Sequence, residues 1–438
     1  MSNSISVSAP ISNKFLFVLL TSLYFSQGFP SGLLAHGLPA IMREYGSSLT
    51  AIGFLKLLAL PWLFKFLWAP LLDRYYYAPL GPHRSWILVM QGGAILTLLC
   101  LSLLPPEWMF GEMSGGEDNG LGVGLLCLFA LLLCLNLFSS TQDIATDGLA
   151  VSLLSEKLRG IGNSIQVCGY KVGLMLGGSG LLILMDYIGW SLTVQLVAIT
   201  LVLMLIPTLL FNENKTFASV RSNSENQTLS GFNFWAFFKQ RHIFSWLLVL
   251  LTYKLADGVS STLVKPMLID MDFSLTEVGE ITFVSSLAGL IGAVLVGILY
   301  SRIKPVWLLA GFAFLQMLSI SAYSLIPGLD NQSDGFLTYI YWIVIQDQMV
   351  DTMSTVVLFA FMMGHCRKNH EGGDYTLQAC IQVLSAGVAG AVGGVIGDIL
   401  GDYSSSFLVA GSLALCPLLA LAMYAKRYNQ GTYQLAAR

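Results

Sequence analysis

Charge is what this chain has least of. Asp, Glu, Lys and Arg make up 11% of its 438 residues, while 55% are hydrophobic. Soluble domains carry about 25% charged residues, so a free-standing globule in water is excluded. Histidine is scarcer still, with five residues, and no His–Glu pair has the spacing of a metal site. There is no Walker loop and no nucleophile elbow, so neither ATP hydrolysis nor nucleophilic catalysis is expected of the chain. No catalytic residue, metal or cofactor is assigned, and no nucleic-acid partner. The seven cysteines are odd in number, lie mostly in apolar stretches and lack CxxC spacing. They read as packing residues.

What the chain has instead is apolar length. Mean hydropathy is +0.71, and runs of the ~20 residues needed to cross a bilayer recur about twelve times. They lie near 15–35, 51–72, 86–104, 121–150, 161–185, 190–211, 243–264, 279–300, 305–326, 336–364, 376–397 and 406–425. The first lacks an Ala-x-Ala cleavage site and contains Gln27 and Pro30, so it is read as a span and not as a removed signal. With both termini cytoplasmic, the cytoplasmic segments hold sixteen of the 22 Lys and Arg, the opposite side two, and the spans four (Lys56, Lys65, Lys171, Lys254). That asymmetry is a positive-inside signal.

Two stretches repeat each other inside this apolar background. Residues 142–147 read Gln-Asp-Ile-Ala-Thr-Asp and residues 346–351 read Gln-Asp-Gln-Met-Val-Asp. Each places two aspartates four apart, on one helix face. A carboxylate in hydrocarbon costs at least ~2.5 kcal/mol, so packing does not account for two such pairs. Other features repeat as well: Ile165-Gln166-Val167 with Gly177-Gly178 returns as Ile381-Gln382-Val383 with Gly393-Gly394. The polar segment 212–242 then reads as a cytoplasmic linker between two six-span halves, 1–211 and 243–438. Halves of six spans enter the membrane in the same direction, an architecture that places a solute site near the midplane between them. Glycine-rich faces in spans five and eleven are expected to pack closely.

Counting from flanking charges puts Lys171 and Lys254 each twelve residues, ~18 Å of helix, from the cytoplasmic side. Asp143, Asp147, Asp257, Asp347 and Asp351 form the expected proton-coupling or charge-relay set, led by Asp143 and one of Asp347 and Asp351. Gln27, Gln142, Gln166, Tyr170, Lys171, Lys254, Gln346 and Gln382 are the expected solute-binding groups. Their mix suits a mid-sized polar or anionic solute. Nothing in the pattern separates H⁺ from Na⁺ as the driving ion.

The segment Leu60-Pro61-Trp62, Lys65-Phe66-Leu67-Trp68-Ala69-Pro70-Leu71-Leu72-Asp73-Arg74 resembles the second-loop region of the AmpG-like permeases of the major facilitator superfamily. So do Thr141-Gln142-Asp143-Ile144-Ala145-Thr146-Asp147-Gly148, Arg159-Gly160 and Gly169-Tyr170-Lys171-Val172-Gly173. Ala69 departs from the general superfamily motif, which has glycine there. The resemblance implies an all-α major facilitator fold of twelve transmembrane helices in two six-helix bundles, with Asp73 and Arg74 bracing a cytoplasmic gate. With the buried charges, it leads to the expectation of a proton-coupled importer in the bacterial cytoplasmic membrane, acting on a small molecule; a monomer is expected. Residues 83–91 and 166–171 look most like the siderophore branch, so a siderophore leads. Muropeptides, and acetyl-CoA or another organic anion, are the alternatives.

Overall fold

The computed structural model describes residues 12–38, 41–42, 58, 60–110, 123–217, 234–240, 242–273, 275–329, 335–368 and 370–436. Among these the chain is helical, without a strand. The first half holds α1 (Asn13–Gly32), α2 (Leu60–Phe64), α3 (Ala69–Arg74), α4 (Pro82–Ser102), α5 (Val123–Leu153), α6 (Arg159–Met175) and α7 (Leu181–Leu210). The second holds α8 (Ile243–Tyr253), α9 (Leu255–Asp270), α10 (Leu275–Tyr300), α11 (Pro305–Ala322), α12 (Phe336–Met363), α13 (Glu371–Leu400), α14 (Tyr403–Ser412) and α15 (Leu415–Ala436).

Nine helical stretches of the described residues are long and apolar enough to cross a membrane. The other three expected spans coincide with α1, with α2 and α3, and with α6. Their shortfall has local causes. Residues 51–57 and 59 lie outside the described set, and α6 carries Arg159, Asn163, Gln166 and Lys171. Leu196, Ile199, Leu203 and Leu210 on α7 and Val388, Val392 and Val395 on α13 are exposed. Such apolar faces suit lipid contact and would be anomalous in water.

The chain divides into two compact units. The first comprises 1–153, 168–232 and 367–376; the second comprises 154–167, 233–366 and 377–438. The boundary at 232/233 falls inside the linker expected at 212–242, most of which lies outside the described residues. Two short segments depart from the simple halves. Residues 154–167 belong to the second unit, where Ser164 Oγ donates to the Ala293 carbonyl at 2.5 Å. Residues 367–376 belong to the first, where Gly373 N–H donates to Asp73 Oδ2 at 2.9 Å.

Hydrophobicity gives little drive to helix association in lipid, so close packing and hydrogen bonds must hold each unit together. Glycine supplies the packing. A Cβ at Gly28 or Gly32 of α1 would strike the carbonyls of Tyr170 and Leu174, and one at Gly177 would strike that of Phe29. In the second unit Gly258 of α9 lies against the Ala386 carbonyl, and Gly393 against Val259. The first unit adds a buried polar network, in which Gln91 Nε2 donates to Ser26 Oγ and the Leu201 carbonyl, and Gln142 Nε2 donates to Gln91 Oε1. A further clasp ties the start of α4 to the end of α7. The buried Glu213 carboxylate accepts the N–H groups of His83 and Arg84, while Arg84 donates to the Thr208 and Leu209 carbonyls. Acid at a helix start and guanidinium at a helix end both suit the helix dipole.

Candidate functional site

In the first unit the aspartates of α5 meet side chains from two other spans. Pro70, whose ring excludes a normal helical turn four residues back, leaves a 3₁₀ turn at Lys65–Leu67 between α2 and α3. From that break the Lys65 ammonium reaches the Asp143 carboxylate, and both residues are buried. Lys65 also lies over the Trp62 ring, 5.3 Å from its centroid. One turn along α5, Asp147 Oδ1 accepts the Tyr24 hydroxyl of α1 at 3.0 Å.

The second unit repeats the plan with different parts. Span seven is broken at Lys254, whose backbone (φ −106°, ψ 12°) separates α8 from α9. From this break Lys254 donates to the Asp351 carboxylate of α12 and lies 4.0 Å from Asp257, in the first turn of α9. The lysine side chain is 4% exposed, those of Asp257 and Asp351 29% and 21%. The cation is therefore the most enclosed of the three charges. Asp347 takes other partners. Its Oδ1 accepts Ser319 Oγ at 2.9 Å, and its Oδ2 accepts the Tyr323 hydroxyl at 3.2 Å. Both donors come from span nine. The Tyr323 ring is buried and stacked on Phe407, with centroids 5.0 Å apart.

The two halves are thus crossed versions of each other. In α5 a lysine engages the first aspartate of the pair and a tyrosine the second; in α12 the tyrosine engages the first and the lysine the second. The difference is chemical. An ammonium only donates, so it suits an ionised carboxylate; a hydroxyl both donates and accepts, so it suits either protonation state.

The other expected residues distribute unevenly. Gln27 is buried with its Nε2 unpartnered, and the Tyr170 hydroxyl bonds to Ser31. Gln142 already serves Gln91. Gln166 and Gln382 are buried, Lys171 is half-buried and Gln346 is exposed. Asp73 and Arg74 have separate roles. Asp73 accepts from Gly373, and a Cβ at Gly372 or Gly373 would fall 2.9 and 2.8 Å from its carboxylate oxygens; Arg74 lies over the Tyr75 ring at 5.2 Å. Burial pushes the Asp73 carboxyl up to about 6, against the downward pull of the Gly373 N–H. Lys65, Ser319 and Tyr323 were not among the expected site residues. The Ser319–Tyr323 spacing of four on a charge-free span was the available signal.

The comparisons agree with this architecture. In structure the chain matches a bacterial homologue of the iron transporter ferroportin (TM-score 0.64, 17% identity, 94% of this chain and 99% of that one). It also matches the major facilitator transporter FucP (TM-score 0.60, 15% identity, 93% and 98%). The fold is that of the major facilitator superfamily. In sequence, residues 16–188 match the family model described as acetyl-coenzyme A transporter 1. The chain is 28% identical to the anhydromuropeptide permease of Escherichia coli (strain K12) over 84% of its own length and 71% of that protein. It is 25% identical to a putative transporter AmpG 4 of Rickettsia conorii, over 80% and 82%. The sequence likenesses are to permeases and transporters.

Proposed function

We propose that this chain is an ion-driven importer of anhydromuropeptide-like cell-wall fragments across the bacterial cytoplasmic membrane, with both termini in the cytoplasm. The observation that carries the substrate class is the similarity to the anhydromuropeptide permease over 84% of the chain. It moves the reading from the siderophore, which these relatives do not support, to the first alternative. The buried groups fit such a solute. Each unit by itself holds a lysine–aspartate pair, and the first holds a buried amide nitrogen, Gln27 Nε2, without a partner; these are groups that suit a solute carrying carboxylates and hydroxyls.

The carriers shift as well. Asp143 led the expectation with one of Asp347 and Asp351, but the carboxylates of Asp143 and Asp351 are each already engaged by a lysine. Asp147 and Asp347, which accept tyrosine hydroxyls, are better suited to gain and lose a proton. Asp73, cradled by Gly372 and Gly373, serves the gating role that the resemblance implied.

The test is uptake. Cells lacking their own permease and expressing this chain should accumulate radiolabelled anhydromuropeptide, and an uncoupler should abolish that accumulation. Import of a ferric siderophore in its place, with no fragment uptake, would sink the proposal.

A further inference from the structure

We propose that Asp347, held by Ser319 and Tyr323, is the seat of the coupling proton. The inference rests on the transporter reading above and deepens it by choosing one carboxyl and naming the side chains that hold it.

Asp347 accepts one hydroxyl on each carboxylate oxygen, from Ser319 and Tyr323. Both partners are buried, and the stack on Phe407 fixes the Tyr323 ring. When a proton adds to Oδ2, the Tyr323 hydroxyl turns from donor to acceptor and the contact survives. The step balances simply: hydronium gives its proton to the carboxylate and leaves as water, and no other bond changes. One turn before Ser319, on the same face, Gln316 is buried with its Nε2 unpartnered. It is one more polar group on a face otherwise suited to packing.

Asp347 shares its helix face with Asp351 and lies in the field of Asp257, so two carboxylates surround it. Lys254 is the cation facing them; it donates to Asp351 and stands 4.0 Å from Asp257. Tyr323, from span nine, is a further titratable neighbour among the described residues. Protonation at Asp347 removes one negative charge from beside a lysine that occupies a break in its helix. That places the bound proton one helical turn from the acid that anchors the bend.

Infrared titration of the purified full-length protein tests the seat without any solute. Beside the bands of other carboxyls such as Asp73, the wild type should show a carboxylic-acid C=O component that titrates reversibly; the difference spectrum against D347N should isolate it, and D351N should keep it. Removing the hydroxyls with S319A/Y323F should move the midpoint of that band by about one pH unit, a tenfold change in proton affinity. In proteoliposomes loaded with a pH dye, proton uptake evoked by anhydromuropeptide should fall by about tenfold or more in D347N. A titrating spectrum that D347N leaves unchanged overturns the proposal, as does a midpoint of the Asp347 component that S319A/Y323F leaves in place. Accumulation that follows a sodium gradient and ignores pH overturns it too. A titrating band lost in D347N, in a wild type that moves no fragment, would defeat the transport reading and leave the proton seat standing.

Discussion

Lys65 reaches Asp143 from a break in its own helix, and the two form an ion pair with little access to solvent. Removing one partner of such a pair strands the other charge, at a cost of about 3–5 kcal/mol. K65M should therefore melt well below the wild type in detergent, and K65M/D143N should recover most of the loss. A K65M protein as stable as the wild type would mean that Asp143 finds its compensation elsewhere.

The glycine contacts make a sharper structural prediction. Gly28 and Gly177 lie against backbone carbonyls of the neighbouring span, which cannot give way as a side chain can. G28A and G177A should each force α1 and the span-five helix apart, lowering yield and melting temperature. Gly387 has open space where its Cβ would be, so G387A is the matched control and should behave like the wild type. Equal losses in all three variants would point to backbone flexibility as the requirement.

The sequence made the acids visible because each carries a large cost in hydrocarbon, and that cost needs no neighbour to be noticed. Asp143, Asp147, Asp347 and Asp351 stood out for this reason, as did the close packing of glycine faces. Their partners were harder to see. Helical periodicity says which residues share a face, but not toward which neighbour that face turns. Lys65 read as easily as a snorkelling side chain, since its (CH₂)₄ stem can carry an ammonium to an interface. Ser319 and Tyr323 cost little to bury, and their span has no charge to draw attention. The break at Lys254 has no proline or paired glycines to announce it. The exchange of 154–167 and 367–376 between units depends on contacts distant in sequence.

The clasp around Glu213 predicts a local stability effect. Its carboxylate accepts two backbone N–H groups at the start of α4 and contacts His83 Nδ1 at 2.9 Å. Hydrogen bonds to a charged group contribute about 1.5–3 kcal/mol each. E213A should lower the melting temperature and make the chain near 75–84 more susceptible to protease, and E213Q should retain part of both. Unchanged proteolysis in E213A would show that Arg84, through Thr208 and Leu209, and Asn214, through Ala78 and Pro79, hold the clasp without the carboxylate.

Asp73 gives a prediction whose sign depends on pH. Its carboxyl is pushed up from 3.8 to about 6, chiefly because burial penalises the charged form. Between those values the folded protein binds more protons than the unfolded chain, so stability falls as pH rises through that window. At 1.36 kcal/mol per unit the loss is on the order of 3 kcal/mol, complete above about pH 7. D73N keeps an oxygen to accept the Gly373 N–H and removes the charge. Its melting temperature should exceed the wild type's by several degrees near pH 7.5, and that advantage should shrink toward zero as the pH is lowered to about 4. The functional cost should run the other way, with slower fragment uptake at neutral pH, because the ionised carboxylate is what the start of α13 holds through Gly373. G373A, which crowds the same carboxylate, should slow uptake without the stability gain. A D73N advantage that persists unchanged at low pH would show that the difference does not come from ionising this carboxyl.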